Sequence, residues 1–189
     1  LMHLISKMHN MKNHNGQILT KSRIVIILNG SPLFSGGAGS GESEIRRYII
    51  EEDLLEAIVA IPTDIFYNTG IATYILILTN KKTPLRKGKV QLINARDSKS
   101  KLRRTIGSKR HYLNEDEIKA IINSFSNFSG NEVSQENGDV ITSKICDAHD
   151  FGYRRLIIER PLRLSIQTTD EAIESLRFAA KPYNLAMQA

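Results

Sequence analysis

Residues 24–80 read IVIILNGSPLFSGGAGSGESEIRRYIIEEDLLEAIVAIPTDIFYNTGIATYILILTN, and this stretch holds most of three short apolar runs. The first, Arg23 to Leu28, is β-branched without polar alternation, which predicts a central parallel strand covered on both faces. The other two, Leu54 to Ile61 and Thr73 to Leu78, have no helix between them, so one of them should be antiparallel. The sequence therefore predicts a mixed α/β sheet with one reversed strand near its end.

Two connections in this stretch have the composition of functional loops. The segment GGAGSG, residues 36–41, precedes a helix whose first turn holds Glu42 and Glu44, where acids are favoured. Its spacing is not G-x-G-x-x-G and no Lys-Ser or Lys-Thr follows, so we interpret it as a loop beside a cleft or as a plain connector. The connection PTDIFYNTGIA, residues 62–72, is long for a hairpin, which is typical of a functional loop.

Helices and one further strand are predicted around this stretch. A strand is expected at Val90 to Asn94, and Asn114 with Glu117 forms the capping box of a helix. Thr168 with Glu171 can cap a last helix. The apolar stripe of an opening helix would be Leu1, Leu4, Ile5, Met8 and Met11, and that of the helix after Asn114 would be Ile118, Ile121, Ile122 and Phe125.

Composition limits the class of protein. The 189 residues are 41% hydrophobic and 24% charged, as in a globular domain, and no apolar run reaches the roughly 20 residues that cross a bilayer. The first residues lack the features of a secretory signal, so we expect a cytoplasmic protein without a membrane partner. Cys146 is the single cysteine and the five histidines lack metal-ligand spacing, so we expect no metal site.

The sequence between Lys81 and Arg110 is strongly basic and contains one acidic residue, Asp97. Within a net charge of +6, such a concentration predicts binding to a polyanion through release of counterions. The alternative is a solvated loop whose charges meet only water. The basic residues are Lys81, Lys82, Arg86, Lys87, Lys89, Arg96, Lys99, Lys101, Arg103, Arg104, Lys109 and Arg110.

Several segments resemble those of one enzyme family. They are EIRRYIIEEDLLEAIVAIP at residues 44–62, FYNTGI at residues 66–71, and a strand that ends in INAR at residues 93–96. Up to Phe128 the chain resembles the modification (methylase) subunits of type I restriction-modification systems, which are adenine-specific DNA methyltransferases. Residues 150–164, DFGYRRLIIERPLRL, resemble the tail of some members.

The resemblance implies a fold and a reaction. The fold is the Rossmann-like mixed sheet of class I S-adenosylmethionine-dependent methyltransferases, whose last strand is antiparallel, here with a C-terminal extension. The reaction of the intact enzyme is transfer of a methyl group from S-adenosylmethionine to the exocyclic amino group of adenine in DNA.

The resemblance also implies site residues. The target base must leave the duplex, and an aromatic ring after the sixth strand of the family fold stacks on it. The matching position is Phe66, with Tyr67 beside it, although Phe66 could instead fill the core at the base of the loop. Asn68 and Thr69 touch the target strand or only shape the turn. The basic candidates for DNA contact are Lys99, Lys101, Arg103 and Arg104.

The family's cofactor-binding glycine motif and Asn-Pro-Pro-aromatic motif do not occur among these residues. Prolines stand only at positions 32, 62, 84, 161 and 182, so there is no Pro-Pro pair. We expect residues 1–128 to be the C-terminal half of the catalytic domain and residues 129–189 to be a linker and helical tail for subunit assembly. We expect this part alone to be inactive, to hold no catalytic residue and not to bind S-adenosylmethionine.

The partners implied by the resemblance are double-stranded DNA, a specificity subunit, a restriction subunit and a second modification subunit. Two alternatives stay open. One is a noncatalytic DNA-binding or assembly module derived from such an enzyme. The other is a different α/β enzyme whose glycine loop binds a nucleotide.

Overall fold

The computed structural model describes residues 1–8, 14–16, 20–130, 132–134, 140–152, 156, 158–160 and 169–176. The chain divides into two compact units, Leu1–Arg154 and Arg155–Ala189. None of the helices within the described ranges is long and apolar enough to cross a membrane.

The first unit is built on a six-stranded sheet and a separate two-stranded hairpin. Its helices are α1 (Met2–Ser6), α2 (Ser31–Phe34), α3 (Gly41–Glu51) and α4 (Glu115–Asn127), and single 3-10 turns stand at Pro84–Arg86 and Ala148–Phe151. Its strands are β1 (Arg23–Asn29), β2 (Leu55–Ile61), β3 (Thr73–Thr79), β4 (Lys89–Asn94), β5 (Ser100–Ile106), β6 (Lys109–Tyr112), β7 (Glu132–Ser134) and β8 (Val140–Asp147). The second unit contains α5 (Asp170–Leu176).

The large sheet is mixed, as predicted. Its strand order is β1-β3-β2-β4-β8-β7. β3 is antiparallel to both β1 and β2, whereas β2 and β4 are parallel. The two apolar runs that no helix separates are therefore neighbours that point in opposite directions, which confirms the reversed strand between them. β8, which is antiparallel to β4, is a second reversed strand that the sequence did not predict.

β1 differs from its prediction in position and in coverage. Within the described residues it pairs with β3 alone, so it is an antiparallel edge strand and the prediction of a central parallel strand is wrong. Ile24 and Ile26 face the cluster that contains Ile49 of α3, but Val25 is 61% and Ile27 48% exposed. A β-branched run without polar alternation does not show whether a helix or strand covers the second face of the strand. Here the exposed Val25 and Ile27 show that this face of β1 is open.

Each face of the sheet carries a hydrophobic cluster, because successive side chains of a strand point to opposite faces. On the first face, Ile49 of α3 packs with Leu76 of β3. On the second face, Val59 of β2 and Ile93 of β4 pack with Ile121 of α4. The sheet is therefore the middle layer of the first unit.

α1 is shorter than the predicted opening helix. Ile5 and Met8 of the predicted stripe are buried, whereas Leu4 is 40% exposed. Met11 lies outside the described residues. The apolar spacing thus located the helix but not its length.

α4 turns a different face to the sheet from the one that the sequence predicts. Ile121 and Phe125 pack on the second cluster as expected. Ile118 and Ile122, however, are 42% and 55% exposed, while Ser124 is buried. The predicted stripe is wrong at these two isoleucines, because polar contacts with the sheet fix the rotation of the helix.

These polar contacts form a buried network under α4. Gln91 is fully buried; its Nε2 donates to the carbonyl oxygen of Ser124 at 2.8 Å, and its Oε1 accepts from Arg86 Nη1 at 3.1 Å. Arg86 Nη2 also donates to the carbonyl oxygen of Phe125, and Arg86 Nε lies 3.7 Å from the carboxylate of Glu56, which is 1% exposed. Burial lowers the pKa of Arg86, and the charge of Glu56 opposes this shift. The guanidinium thus joins the sheet to the helix.

The sheet continues beyond residue 128, where the catalytic half was expected to end. β8 pairs antiparallel with β4 over Val90 to Asn94, and Ile141 in β8 is fully buried. The first compact unit extends to Arg154. The polar segment before β8 resembles an interdomain linker in composition, but it connects elements of one unit.

α5 begins one residue later than its predicted capping residue requires. The Oγ1 of Thr169 accepts a hydrogen bond from the amide of Ala172 at 3.3 Å, so Thr169 caps the helix. Thr168 lies outside the described residues. The helix itself was correctly predicted.

Candidate nucleic-acid interface

β1, β2 and β4 point in the same direction, so their carboxyl ends form one edge of the sheet. The three connections that follow these strands leave the sheet at that edge. Asn29 and Ile61 both lie opposite Thr73, and Ala60 lies opposite Asn94. In open α/β sheets, ligands bind outside the carboxyl ends of such strands. The loops that meet at this edge are residues 30–40, 62–72 and 95–99.

Residues 62–72, here called the aromatic loop, present two adjacent rings in different environments. Phe66 is half-buried and packs against the cluster under α4. Tyr67 is 61% exposed. Asn68 is exposed, whereas Thr69 is half-buried and accepts a hydrogen bond from Ile71 N at 3.3 Å, which is turn chemistry. The ring of Phe66 is thus partly in the core and partly accessible, and its stacking on a base stays a prediction.

Residues 100–112, here called the basic hairpin, are formed by β5 and β6. Lys101 lies opposite His111 and Ile106 lies opposite Lys109, so residues 102–105 of β5 face Arg110 alone. This irregularity bulges β5 away from its partner strand. The predicted DNA-contact residues Lys101, Arg103 and Arg104 are exposed on β5, and Lys99 is half-buried just before it.

The basic hairpin is bonded to the aromatic loop through the backbone. The amides of Arg110 and His111 donate to the carbonyl oxygen of Asp64 at 2.8 and 3.1 Å. The amide of Ser108 donates to the carbonyl oxygen of Tyr67 at 2.9 Å. The structure therefore brings the predicted aromatic and basic candidates together as one surface.

The turn of the hairpin lies directly against Tyr67. Gly107 has a φ of +58°, and a Cβ at this position would stand 2.5 Å from the carbonyl oxygen of Tyr67. The ammonium of Lys109 lies 4.8 Å from the centre of the Tyr67 ring, a distance at which a cation is attracted to an aromatic face. The exposed ring thus has a cation on one of its faces.

The base of the hairpin is held by the start of α4. Asn114 and Glu117 form the predicted capping box, with Glu117 N donating to Asn114 Oδ1 at 2.8 Å and Asn114 N donating to Glu117 Oε2 at 2.7 Å. Ser100 Oγ donates to Glu117 Oε1 at 2.9 Å and accepts from Asn114 Nδ2 at 3.0 Å. The capping residues therefore fix a helix and a strand of the hairpin at once.

The basic stretch does not form one continuous charged surface. The side chain of Lys82 is only 3% exposed, and its ammonium lies 2.5 Å from Asp53. Arg86 is buried under α4. These two cations have structural partners, so a polyanion can reach the exposed hairpin residues but not the whole predicted stretch.

The glycine loop precedes α3, and Ser40 caps this helix by accepting a hydrogen bond from Ser43 N at 3.3 Å. Beside it, an apolar groove of about 890 Å³ runs across the α3 face of the sheet. Aliphatic and aromatic side chains line most of it, and no lining residue has a buried polar atom without a partner. Its polar lining residues are Glu42, Arg46, Asn94, Thr142, Ser143 and Lys144.

Asp147, His149 and Asp150 place ligand atoms within 4.8 Å of one another on the turn after β8. All three are exposed. The carboxylate of Asp150 already lies 3.1 Å from His149 Nε2 and also caps the turn. These local contacts account for the geometry of the cluster.

Gly107 and Ser108 were not predicted as part of the interface, and Lys109 was predicted only as one cation of the basic stretch. A signal was present, because Gly-Ser between two short polar and β-branched runs is typical of a two-residue hairpin turn. What no local pattern shows is the contact of this turn with Tyr67.

A family model described as N-6 DNA Methylase matches residues 8–152. The chain belongs to the N-6 DNA methylase family. The match covers the sheet, the aromatic loop, the basic hairpin and α4, so all parts of the candidate interface lie within the family domain.

Named relatives of this N-6 DNA methylase domain are methylase subunits. The type I restriction enzyme MjaIX methylase subunit of Methanocaldococcus jannaschii is 29% identical over 136 residues, which are 72% of this chain and 24% of that protein. The MjaVIII methylase subunit of the same organism is 34% identical over 109 residues, 58% of this chain and 18% of that protein. The chain thus spans about a quarter or less of the length of these relatives.

A solved structure supports the fold. The type I restriction-modification system methyltransferase subunit from Streptococcus thermophilus superposes with a TM-score of 0.53 at 23% identity, covering 68% of this chain and 23% of that one. The mixed sheet is therefore similar in fold to that methyltransferase subunit, as predicted.

Proposed function

We propose that this chain is part of a site-specific adenine DNA methyltransferase, the modification subunit of a type I restriction-modification system acting in the cytoplasm. Within that enzyme, this chain would bind the extruded target adenine and the neighbouring DNA backbone. The observation that carries the proposal is the aromatic loop joined to the basic hairpin at the edge of the sheet where β1, β2 and β4 end. Membership in the N-6 DNA methylase family supports the reaction class.

The aromatic loop would act on the base. Adenine must leave the stack before its amino group can be reached. Stacking of a base on an aromatic ring is worth about 1–3 kcal/mol, and Phe66 and Tyr67 offer such rings. Asn68 and Thr69 lie next to these rings and would border the target strand. S-adenosylmethionine supplies the methyl group when bound, and the contribution of this chain is to orient the acceptor.

The basic hairpin would act on the backbone. Lys101, Arg103 and Arg104 are exposed and Lys99 is half-buried beside them. The sequence contains no acidic residue from Ser98 to Asn114. Contacts of this kind position a protein on DNA without reading its sequence, so we assign sequence choice to a separate specificity subunit.

We propose that other parts of the intact enzyme bind S-adenosylmethionine and supply the Asn-Pro-Pro-aromatic motif. Neither the family's cofactor-binding glycine motif nor its Asn-Pro-Pro-aromatic motif occurs in the 189 residues. The 189-residue chain by itself is therefore expected to be inactive and to release no heat when titrated with S-adenosylmethionine. Heat of binding with micromolar affinity would contradict this division of roles.

DNA binding by the chain is the central test. A labelled duplex with an unpaired adenine is titrated with the 189-residue chain, and fluorescence anisotropy is followed from 50 to 200 mM salt, roughly the range over which phosphate contacts are resolved. We expect affinity to fall with salt, and replacement of Lys101, Arg103 and Arg104 by alanine to reduce the log–log slope by about 2–3. No detectable binding at the lowest salt, or an unchanged slope in the triple variant, would refute the proposal.

We further propose that the second unit serves assembly with the specificity subunit, the restriction subunit and a second modification subunit. A deletion that tests this should begin at Arg155, because removal of the whole predicted tail, residues 129–189, would also remove β8 from the sheet. The shortened chain should keep DNA binding and lose affinity for the specificity subunit in sedimentation. Equal sedimentation of the two chains with that subunit would contradict the assembly role.

A further inference from the structure

We propose that the basic hairpin is a support that positions the Tyr67 ring for the extruded base, so that hairpin and aromatic loop act as one unit. The inference rests on the proposed function and adds positioning residues to it, namely Gly107, Ser108 and Lys109. Without the hairpin, Tyr67 would be an exposed side chain on a long connection.

The first support is the backbone. Three amides of the hairpin turn and β6 donate to two carbonyl oxygens of the aromatic loop, those of Asp64 and Tyr67. Asp64 has a φ of +59°, a conformation that aspartate tolerates but does not prefer. Because both amides of Arg110 and His111 converge on its carbonyl oxygen, they hold the loop in this bent conformation.

The second support is the fit of the turn. Gly107 is close enough to Tyr67 that any side chain at this position would meet the carbonyl oxygen of Tyr67. Its positive φ also requires glycine for an unstrained turn. The close approach lets the Ser108 amide reach Tyr67 at 2.9 Å.

The third support is the ring contact. The ammonium of Lys109 lies over one face of the Tyr67 ring, and Tyr67 itself is 61% exposed. One face is thus occupied by a cation, and the remaining ring surface is accessible to a planar ligand.

Phe66 and Tyr67 then have different tasks. Phe66 packs with the cluster under α4 and anchors the loop to the sheet. Tyr67 has no place in either hydrophobic cluster. We therefore assign the main stacking contact to Tyr67, and the hairpin determines where its ring stands.

The test uses a matched pair of glycines. Gly107 and Gly88 both have positive φ, +58° and +69°, but a Cβ at Gly88 meets nothing within 4 Å. Gly88→Ala therefore controls for backbone strain, and Gly107→Ala adds the clash with Tyr67. The probe is a duplex with 2-aminopurine, a fluorescent adenine analogue, opposite an abasic site; the reference is a fully paired duplex. Both are titrated with the 189-residue chain.

We expect Tyr67→Ala to abolish the 2-aminopurine fluorescence change and to weaken binding of the probe duplex roughly 5- to 150-fold, the range that corresponds to about 1–3 kcal/mol for stacking of one base. Gly107→Ala should lose the same signal and keep its affinity for the paired duplex within about 2-fold. Gly88→Ala should keep both. The variant that carries both Tyr67→Ala and Gly107→Ala should bind the probe no more weakly than Tyr67→Ala alone, because the two substitutions remove the same stacking contact.

Lys109 provides a second route if Gly107→Ala lowers the melting temperature. Lys109→Gln should reduce the 2-aminopurine signal, and Lys109→Arg, which keeps the cation, should restore it. A full signal in both Gly107→Ala and Lys109→Gln, or additive losses in the double variant, overturns the positioning role while the proposed function stands. Failure of the unaltered chain to bind either duplex overturns the proposed function, and this inference with it.

Discussion

Replacement of Arg86 by alanine should destabilise the first unit more than any exposed substitution, because Arg86 is the only cation that joins Glu56, Gln91 and α4 among the described residues. The guanidinium is 7% exposed. It lies between the rings of Phe125 and Phe128, with its central carbon 4.3 Å from the centre of each. Its removal would leave two carbonyl-type acceptors without this donor and would leave Arg23 as the remaining cation beside the carboxylate of Glu56.

The magnitude follows from these contacts. Removal of one member of a buried ion pair costs about 3–5 kcal/mol, and each orphaned buried acceptor costs about 1–3 kcal/mol. The terms overlap, and Arg23 still lies 3.0 Å from Glu56, so we expect a total of about 3–5 kcal/mol. For a chain of 189 residues, each kcal/mol lowers the melting temperature by roughly 2–4 °C, which gives a decrease of about 6–20 °C.

The assay is urea unfolding followed by circular dichroism, with Arg104→Ala as a matched arginine on the exposed hairpin. The control should change the free energy of unfolding by less than about 0.5 kcal/mol. Arg86→Met is made alone and together with Glu56→Gln, which removes a buried carboxylate that has lost one of its two cations, and the double variant should be more stable than Arg86→Met alone. A loss below about 1 kcal/mol in Arg86→Ala, or strictly additive losses in the double variant, would refute the network as the link between sheet and helix.

Three further substitutions test other parts of the fold. Phe66→Ala should lower the free energy of unfolding by about 1–3 kcal/mol, less than the 3–5 kcal/mol of a fully buried Phe, and a cost near zero in urea unfolding would remove its anchoring role. Asn114→Ala should cost about 1–2 kcal/mol by thermal unfolding, and amide exchange should rise in both α4 and β5; a rise in α4 alone would argue against the shared cap. Lys82→Ala should lower the melting temperature, because its ammonium is held between Asp53 and a backbone carbonyl, whereas exposed Lys87→Ala should not; equal melting of the two variants would count against a buried pair.

Features that depend on neighbouring residues could be predicted from the sequence. The apolar runs gave three strands and the reversed direction of β3, since the lack of a helix between the second and third runs leaves an antiparallel pair as the simple solution. Asn114 and Glu117 gave the start of α4, because a capping box needs only residues three apart.

Features that depend on distant partners could not be predicted. The rotation of α4 follows from Gln91, whose side chain reaches Ser124 across 33 positions of sequence. The edge position of β1 follows from its pairing with β3 alone among the described residues, and its apolar run would look the same in the middle of a sheet. Hydrophobic spacing records which residues prefer burial, not which partner buries them.

The candidate interface was predicted in pieces. Phe66, Tyr67 and the basic residues of β5 were identified, partly through resemblance and partly through charge. The contact between the aromatic and basic residues was not predicted, because β3 and β4 separate the aromatic loop from the basic hairpin in the sequence. The hydrogen bonds to Asp64 that join them are visible only in the structure. For Lys82 and Arg86 the prediction of exposed charge was wrong. Both were counted in the basic stretch, but their side chains are buried beside acidic partners.

The open side of β1 has a practical consequence for anyone who purifies this polypeptide. Along the edge of β1 that no described residue pairs, backbone amides and carbonyls can hydrogen-bond to a strand of another molecule, and the exposed Val25 and Ile27 lie on the same strand. Preparations should therefore become turbid or oligomeric as they are concentrated, and a lysine in place of Val25 should keep them clear.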